Sequence, residues 1–283
     1  MANSKRLELF NLDHRDRPIL KWAGGKSQLL TQLIPRFPEK FNRYIEPFLG
    51  AGAIYFALNP NCPAIINDAN PELYELYCVL RDQPRELAKL LDRYSKQYCE
   101  EFYYKLRTSR SRTPVSRAAR FIFLNKTGFN GLYRLNSKGE FNVPFGKRKN
   151  CPLLYEANNL ERVSKRLKRT QIKNLDFEKV IRMAKKGDFV YCDPPYSPLS
   201  RTASFNTYTA GGFSHKEQIR LKNACEEATH RGAIVAISNS SAPLILDLYQ
   251  DWQIHFIKAR RSINSKSHLR GPIHEVLATP PTH

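Results

Sequence analysis

The sequence predicts an α/β fold with a smaller, strongly basic segment inserted into it, and three observations carry the prediction. An apolar run, Phe189 to Cys192, ends abruptly at Asp193-Pro194-Pro195-Tyr196. A short strand at Tyr44-Ile45-Glu46 leads into a glycine turn and a helix, and a second strand, Ala64 to Asn67, ends in Asp68. Between residues 96 and 170 stand eighteen Lys and Arg against five Asp and Glu, so thirteen of the chain's +20 charge falls in one segment. At 283 residues there is room for one large core and such an insertion.

Residues 1–17 are polar and charged and read as a loose arm. Pro18 to Ser27 then leads into a helical pattern, Leu29, Leu30, Leu33 and Ile34. Gly25-Lys26-Ser27 looks like the end of a phosphate-binding P-loop. That motif needs a glycine five positions before Gly25, where Leu20 stands, and a buried strand before it. What remains is a Gly24-Gly25 turn flanked by Lys21, Trp22 and Lys26, which suits a small ligand approaching the backbone. In Glu46-Pro47-Phe48-Leu49-Gly50-Ala51-Gly52 the strand ends in glycines, and Ala53 to Leu58 opens a helix. The third glycine of the dinucleotide fingerprint is missing. Asp68 follows about twenty residues on, the spacing at which an acid accepts hydrogen bonds from a ribose. A helix N-cap is its plain alternative. Glycine turn plus strand-terminal acid fits an adenosine ligand such as S-adenosylmethionine better than NAD.

Residues 72–107 carry a helical pattern (Leu73, Leu76, Tyr77, Leu80, then Leu87, Leu90, Leu91, Tyr94). Phe121 to Leu124 reads as buried helix or strand. Residues 125–149 follow, with hairpin signals at Asn130-Gly131 and Ser137-Lys138-Gly139. Short ribbons bearing amide, guanidinium and aromatic side chains can enter a nucleic-acid groove, where Arg pairs bidentately with guanine. An apolar loop residue can wedge into an unstacked step. For Phe129 and Leu132 loop packing is the alternative. The concentrated charge favours groove contact, since a polyanion demands it.

After residue 170 the core resumes. Gln171 to Asn174 reads as a strand ending in Leu175-Asp176-Phe177, and Val180 to Ala184 as a short helix. Residues 197–213 form a polar, aromatic loop placed to close over the site. A helix from Lys216 to about His230, a strand from Ala233 to Ile237 and two late antiparallel strands, Trp252 to Lys258 and Glu275 to Ala278, complete the pattern. Lys258, Arg260, Arg261, Lys266 and Arg270 form a second basic cluster, either phosphate contacts or a solvated loop.

Asp193-Pro194-Pro195-Tyr196 carries the chemistry. Two prolines cannot continue a ladder, so Asp193 and Tyr196 fall at the strand's carboxyl end, where open α/β sheets bind ligands. The arrangement suits alkylation of an exocyclic amine on a nucleobase, whose lone pair is delocalised into the ring. A carboxylate and a fixed backbone carbonyl accept both N–H groups and favour the pyramidal amine, while Tyr196 offers a face for an extruded base. A strand end with ordinary tyrosine packing is the bland alternative. Six cysteines without a C-x-x-C pair, and histidines without H-x₃₋₅-H spacing, argue against zinc and disulfide frameworks. No run approaches the ~18 apolar residues of a membrane span, and Met1 to Phe10 does not read as a signal peptide. A soluble, cytoplasmic protein is expected, monomeric for want of an apolar interface stripe.

Together these segments resemble DNA adenine-N6 methyltransferases of the Dam/DpnM type, which modify the adenine of GATC. The resemblance spans residues 18–278. It rests on Lys21-Trp22-Ala23-Gly24-Gly25-Lys26, Glu46-Pro47-Phe48-x-Gly50-x-Gly52, Asn67-Asp68-x-Asn70, Gly139 to Gly146, Asp193-Pro194-Pro195-Tyr196 and Arg260-Arg261-Ser262-Ile263, in that family's order. It implies a Rossmann-like sheet with an inserted, mainly helical DNA-recognition subdomain carrying a β-hairpin: residues 18–71 and 171–280 catalytic, 72–170 reading DNA. S-adenosylmethionine would be the donor, yielding S-adenosylhomocysteine, with no metal. Trp22, Ala23, Gly24, Gly25, Lys26, Glu46, Pro47, Phe48, Gly50, Gly52 and Asp68 would surround it, Asp176 and Phe177 would flank its adenine, and Asp193 would border it. Asp193, Pro194, Pro195 and Tyr196 would be catalytic. Double-stranded DNA would meet Lys21, Phe129, Asn130, Leu132, Arg134, Asn142, Pro144, Lys147, Arg148, Arg260 and Arg261, placing the enzyme on the nucleoid. Arg148 stands where some relatives carry an aromatic. The rivals are a cytosine-N4 or an RNA or protein amide methyltransferase and a catalytically silent DNA-binding protein.

Overall fold

The computed structural model describes residues 16–196, 213–260 and 272–281. Its strands are β1 (Tyr44–Glu46), β2 (Ala64–Asn67), β3 (Thr170–Lys173), β4 (Phe189–Cys192), β5 (Ile234–Ser240), β6 (Gln253–Arg260) and β7 (Pro272–Thr279). They form one sheet in the order β3-β2-β1-β4-β5-β7-β6. The first five run parallel, while β7 is antiparallel to both β5 and β6. The fold is the Rossmann-like α/β sheet that the strand pattern predicts. β1, β2 and β4 are buried at every position, and so read as apolar runs that turn polar only at the last residue of β1 (Glu46) and of β2 (Asn67). Within β4, Phe189 and Tyr191 face one layer and Val190 and Cys192 the other, the two-residue period of a pleated strand.

The helices are α1 (Leu30–Leu33), α2 (Ala53–Leu58), α3 (Pro71–Asp82), α4 (Pro84–Lys96), α5 (Glu100–Thr108), α6 (Pro114–Thr127), α7 (Ala157–Leu167), α8 (Phe177–Ile181), α9 (His215–His230) and α10 (Pro243–Leu248). Their starts follow capping chemistry. Asn70 accepts from Glu72 N before Pro71, Thr113 and Ser116 form a reciprocal box before Pro114, and Ser214 accepts from Glu217 N. α3 packs on α6 and α7, and α4 and α5 pack on α6. These helices share one hydrophobic core with a single face of the sheet, while α8, α9 and α10 cover the other face. No described helix is long and apolar enough to cross a membrane.

Some expectations need correction. The pattern at Leu29 to Ile34 breaks into a 3-10 turn, the four-residue α1 and a second 3-10 turn, because Pro35 cannot extend the helix. The short helix expected at Val180 starts at Phe177, where Asp176 caps it through Glu178 N. α10 was not anticipated. The end of the expected loose arm is docked: Asp16 is buried, bonded to Arg162 (3.1 Å) and Arg166 (2.6 Å), and Arg17 exchanges two backbone bonds with the Asn159 amide. The rest of that arm, residues 1–15, lies outside the described residues.

The expected hairpin is a ribbon held by two isolated bridges, Gly128 to Phe145 and Leu135 to Phe141. Asn130-Gly131 supplies two consecutive positive φ values (54° and 66°), as a tight turn demands, but the arms it joins do not pair with each other.

The order of strands reverses at β1, which lies between β2 and β4. The carboxyl ends of these strands therefore flank a topological switch point, where a crevice opens.

Candidate active site

A cleft of about 690 Å³ opens there, lined by every residue assigned to the donor from sequence except Gly52. Gly50 N donates to Asp68 Oδ2 (2.8 Å), Asn70 N donates to Asp68 Oδ1 (2.9 Å), and Tyr77 OH donates to the Gly50 carbonyl (2.8 Å). The acid thus pins the glycine turn to the start of α3, which Asn70 rather than Asp68 caps. A carboxylate has about four lone-pair sites, so Asp68 keeps acceptor capacity toward the cleft. Burial raises its pKa, and the two amides oppose the rise. A Cβ on Gly50 would stand 3.0 Å from Trp22 Cδ1, so the indole and the turn fit only without a side chain there. Gly52, at φ 74°, instead starts α2 against the Phe56 ring, outside the cleft. Sequence reading placed Asn67 in a motif without a role; its amide donates to the Pro47 and Leu175 carbonyls and accepts from Leu175 N, tying two strand ends together.

Phe48, Phe177 and Phe213 build one wall, with ring centroids 5.3 to 5.6 Å apart. The Arg220 guanidinium lies 4.3 Å over Phe177 and bonds Asp176. Flat apolar faces beside a polar rim are what a purine-sized group requires.

At the other end stands Asp193. Its Oδ2 is 2.7 Å from Lys26 Nζ, and its Oδ1 is buried without a hydrogen-bond partner among the described residues. Lys26, only 3% exposed, also donates to the Gly24 carbonyl (2.6 Å), and its ammonium lies 4.7 Å from the Tyr196 ring centroid. Lys26 therefore lines the cleft by its stem while its charge serves Asp193. Burial pushes the Asp193 pKa up, Lys26 holds it down, and the Glu275 charge adds to the rise. Tyr196 OH donates to Glu275 Oε2 (2.6 Å), a partner no local pattern announces. Glu46 is buried at the end of β1, accepts from Tyr44 OH (2.8 Å), and is pushed well above the usual carboxylate range by burial. The Pro195 carbonyl is taken by Gln218 Nε2 (3.2 Å), which fixes the Pro-Pro turn to α9.

Residues 22–263 match the family model described as D12 class N6 adenine-specific DNA methyltransferase. The chain belongs to that family. It is 44% identical to the type II methyltransferase M1.LlaDCHI of Lactococcus lactis subsp. cremoris, over 93% of this chain and 95% of that one. It is 41% identical to the type II methyltransferase M.MjaIII of Methanocaldococcus jannaschii, over 90% and 95%. It is 36% identical to the DNA adenine methylase of Escherichia coli K12, over 93% and 95%.

In this DNA methyltransferase the ribbon lies against the start of the glycine turn. A Cβ on Gly131 would stand 2.7 Å from Lys21 Cδ, and the buried Asn125 amide exchanges bonds with Lys21 N (2.9 Å) and Lys21 O (2.8 Å) while donating to Gly131 O (3.1 Å). Phe141, Val143 and Phe145 are buried, which turns the intervening Asn142 and Pro144 outward. Arg134 is exposed and bonds Asn142 through Nε (2.7 Å). Phe129 is 49% exposed, Asn130 is exposed, and Leu132 is half-buried against the core. Lys147 and Arg148 are exposed at the ribbon's end. Burial and the nearby Arg148 charge lower the Lys21 pKa. Arg260 ends β6, away from this ribbon in the chain. Arg261, the loop at 197–212 and most of the second basic cluster lie outside the described residues.

Proposed function

We propose that the enzyme transfers the methyl group of S-adenosylmethionine to N6 of adenine in double-stranded GATC, with the target base extruded from the duplex. One observation carries the reading. A buried, unpartnered Asp193 Oδ1 sits at one end of a cleft whose other end offers a ribose-accepting acid, a glycine turn and an aromatic wall. The volume and donor set fit the adenosine and the amino-acid tail of the donor: Asp68 toward the ribose, Phe48 and Phe177 toward the adenine, and the exposed backbone of Gly24 and Gly25 toward the tail. When bound, the donor supplies a sulfonium methyl electrophilic enough to need no covalent enzyme intermediate.

Asp193 Oδ1 accepts one N–H of the target amine and the Pro194 carbonyl the other. The nitrogen lone pair leaves conjugation and points along the line of attack. Asp193 must be ionised to act this way, and Lys26 keeps it so. Tyr196 stacks on the flipped adenine. Residues 72–170 read the DNA: Lys21 and Arg134 meet bases, Phe129, Asn130 and Leu132 fill the space left by the flipped base, and Asn142, Pro144, Lys147, Arg148, Arg260 and Arg261 contact the duplex.

The test is transfer of labelled methyl to duplexes differing at one tetranucleotide, followed by nucleoside analysis. Label in N6-methyladenine confined to GATC supports donor, base and site together. N6-methyladenine at another sequence defeats only the GATC assignment, N4-methylcytosine defeats the target assignment, and bound DNA without label defeats the reaction.

A further inference from the structure

We propose that Glu275 is a positioning residue of the methyl-transfer site, anchoring the Tyr196 hydroxyl and so the direction of its ring, and drawing on the Lys26 ammonium so that Asp193 keeps one oxygen open to the target amine. The proposal rests on the roles given above to Asp193 and Tyr196.

Glu275 comes from the antiparallel edge of the sheet, paired with Ser240 on β5 and Ile257 on β6. Val276 and Leu277 beside it are core residues, yet its carboxylate meets Tyr196 and Lys26, which both line the cleft. There Oε2 accepts from Tyr196 OH at 2.6 Å and lies 3.9 Å from Lys26 Nζ. The first contact is a short, charge-assisted hydrogen bond that fixes where the phenol oxygen sits and with it the direction of the ring's long axis. The second is too long for a hydrogen bond and acts through charge alone.

Among the described residues Lys26 is the ammonium on which these acids converge. It is bonded to the Gly24 carbonyl and Asp193 Oδ2, faces the Tyr196 ring, and lies 3.9 Å from Glu275 Oε2. The one remaining N–H of the lysine, turned onto Asp193 Oδ1, would compete with the amine for that oxygen. A second carboxylate beside the ammonium opposes that. The groups that face Asp193 are Lys26, Glu275 and Tyr196, with the buried Tyr191 and Glu46 adding to the field behind it. Because the Glu275 charge raises the Asp193 pKa, removing it must move the acid's titration downward.

The experiment compares wild type, Glu275→Gln, Glu275→Ala, Tyr196→Phe and the Glu275→Ala/Tyr196→Phe pair as full-length proteins. It measures single-turnover transfer against pH, donor affinity and thermal melting. Glu275→Ala is expected to lower the transfer rate about tenfold, the loss typical of one charged hydrogen bond, with donor affinity unchanged. Glu275→Gln keeps an acceptor for Tyr196 and retains more activity, with its acid limb at lower pH than wild type. The double variant is expected to be no slower than Glu275→Ala alone, because that single variant already takes away the anchor of the Tyr196 hydroxyl. Wild-type rates in Glu275→Ala, an acid limb displaced upward in Glu275→Gln, or additive losses in the pair would each overturn the proposal alone. An active Asp193→Ala control, or no adenine product from wild type, would overturn the underlying reading and this proposal with it.

Discussion

The cleft and the ribbon are built by opposite strategies. In the cleft the polar groups that matter are already held: Asp68 by two backbone amides, Lys26 by a carbonyl and Asp193, and Tyr196 by Glu275. Burial in strand ends fixes them, so reaction there requires little reorganisation. On the ribbon, Arg134, Lys147 and Arg148, like Lys21 beside it, have no carboxylate partner among the described residues, and the backbone is held by isolated bridges. In the proposed reading those cations take their partners from DNA phosphates and base edges. A single chain thus combines a preorganised reaction centre with a reading surface that is completed by its substrate.

The sharpest way to test that contrast is to remove the acceptor itself. Asp193→Ala should reduce methyl transfer to background while DNA affinity stays within about twofold by gel shift, since the ribbon is untouched. Next in size is Gly52→Ala. Its φ of 74° and a Cβ placed 2.7 Å from Phe56 Cε2 should cost about 1–3 kcal/mol of stability, read as a lower melting temperature. Lys26→Gln acts on ionisation. Asp193 is active as the anion, so activity is present above its pKa and lost as pH falls through it. Removing the ammonium that holds this pKa down should displace the acid limb of kcat/KM upward, opposite in sign to the effect of Glu275→Gln. On the ribbon, Arg134→Ala should lose ~1–3 kcal/mol of discrimination at one base pair with transfer chemistry intact, measured on single-base variants of GATC. Equal weakening on every sequence would make it a phosphate contact instead. Smallest is Lys147→Ala, expected to reduce the slope of log affinity against log salt by about one and to leave sequence choice alone.

The same contrast governs what could be read from sequence. β1, β2 and β4 were legible because burial on both faces leaves apolar runs, and Asp193 was legible because two prolines mark where its strand must stop. The glycine turn declared itself through Gly50 and Asp68, whose spacing reflects one strand, one turn and one helix. Glu275 and Asn67 did not declare their roles. Each sits in a strand among apolar residues, and its role comes from partners brought near by the sheet order. Gln218, on a surface-patterned helix, was hidden for the same reason. α1 was misjudged because its apolar spacing is helical while Pro35 ends the helix, and Gly52 because a glycine beside a ligand turn looks the same in sequence as one beside a phenylalanine ring.

Asn125 has a larger consequence than its size suggests. One buried carboxamide bonds both backbone groups of Lys21, at the mouth of the glycine turn, and the carbonyl of Gly131, in the first arm of the ribbon. Tyr133 from the same ribbon lies 5.1 Å from Trp22, beside Gly50. The surfaces proposed to meet the donor and the DNA therefore share a fastening. Hydrogen exchange at Lys21 and Gly131 should slow together when either substrate binds. Whatever factor DNA adds to affinity for the donor, the donor must return to affinity for DNA.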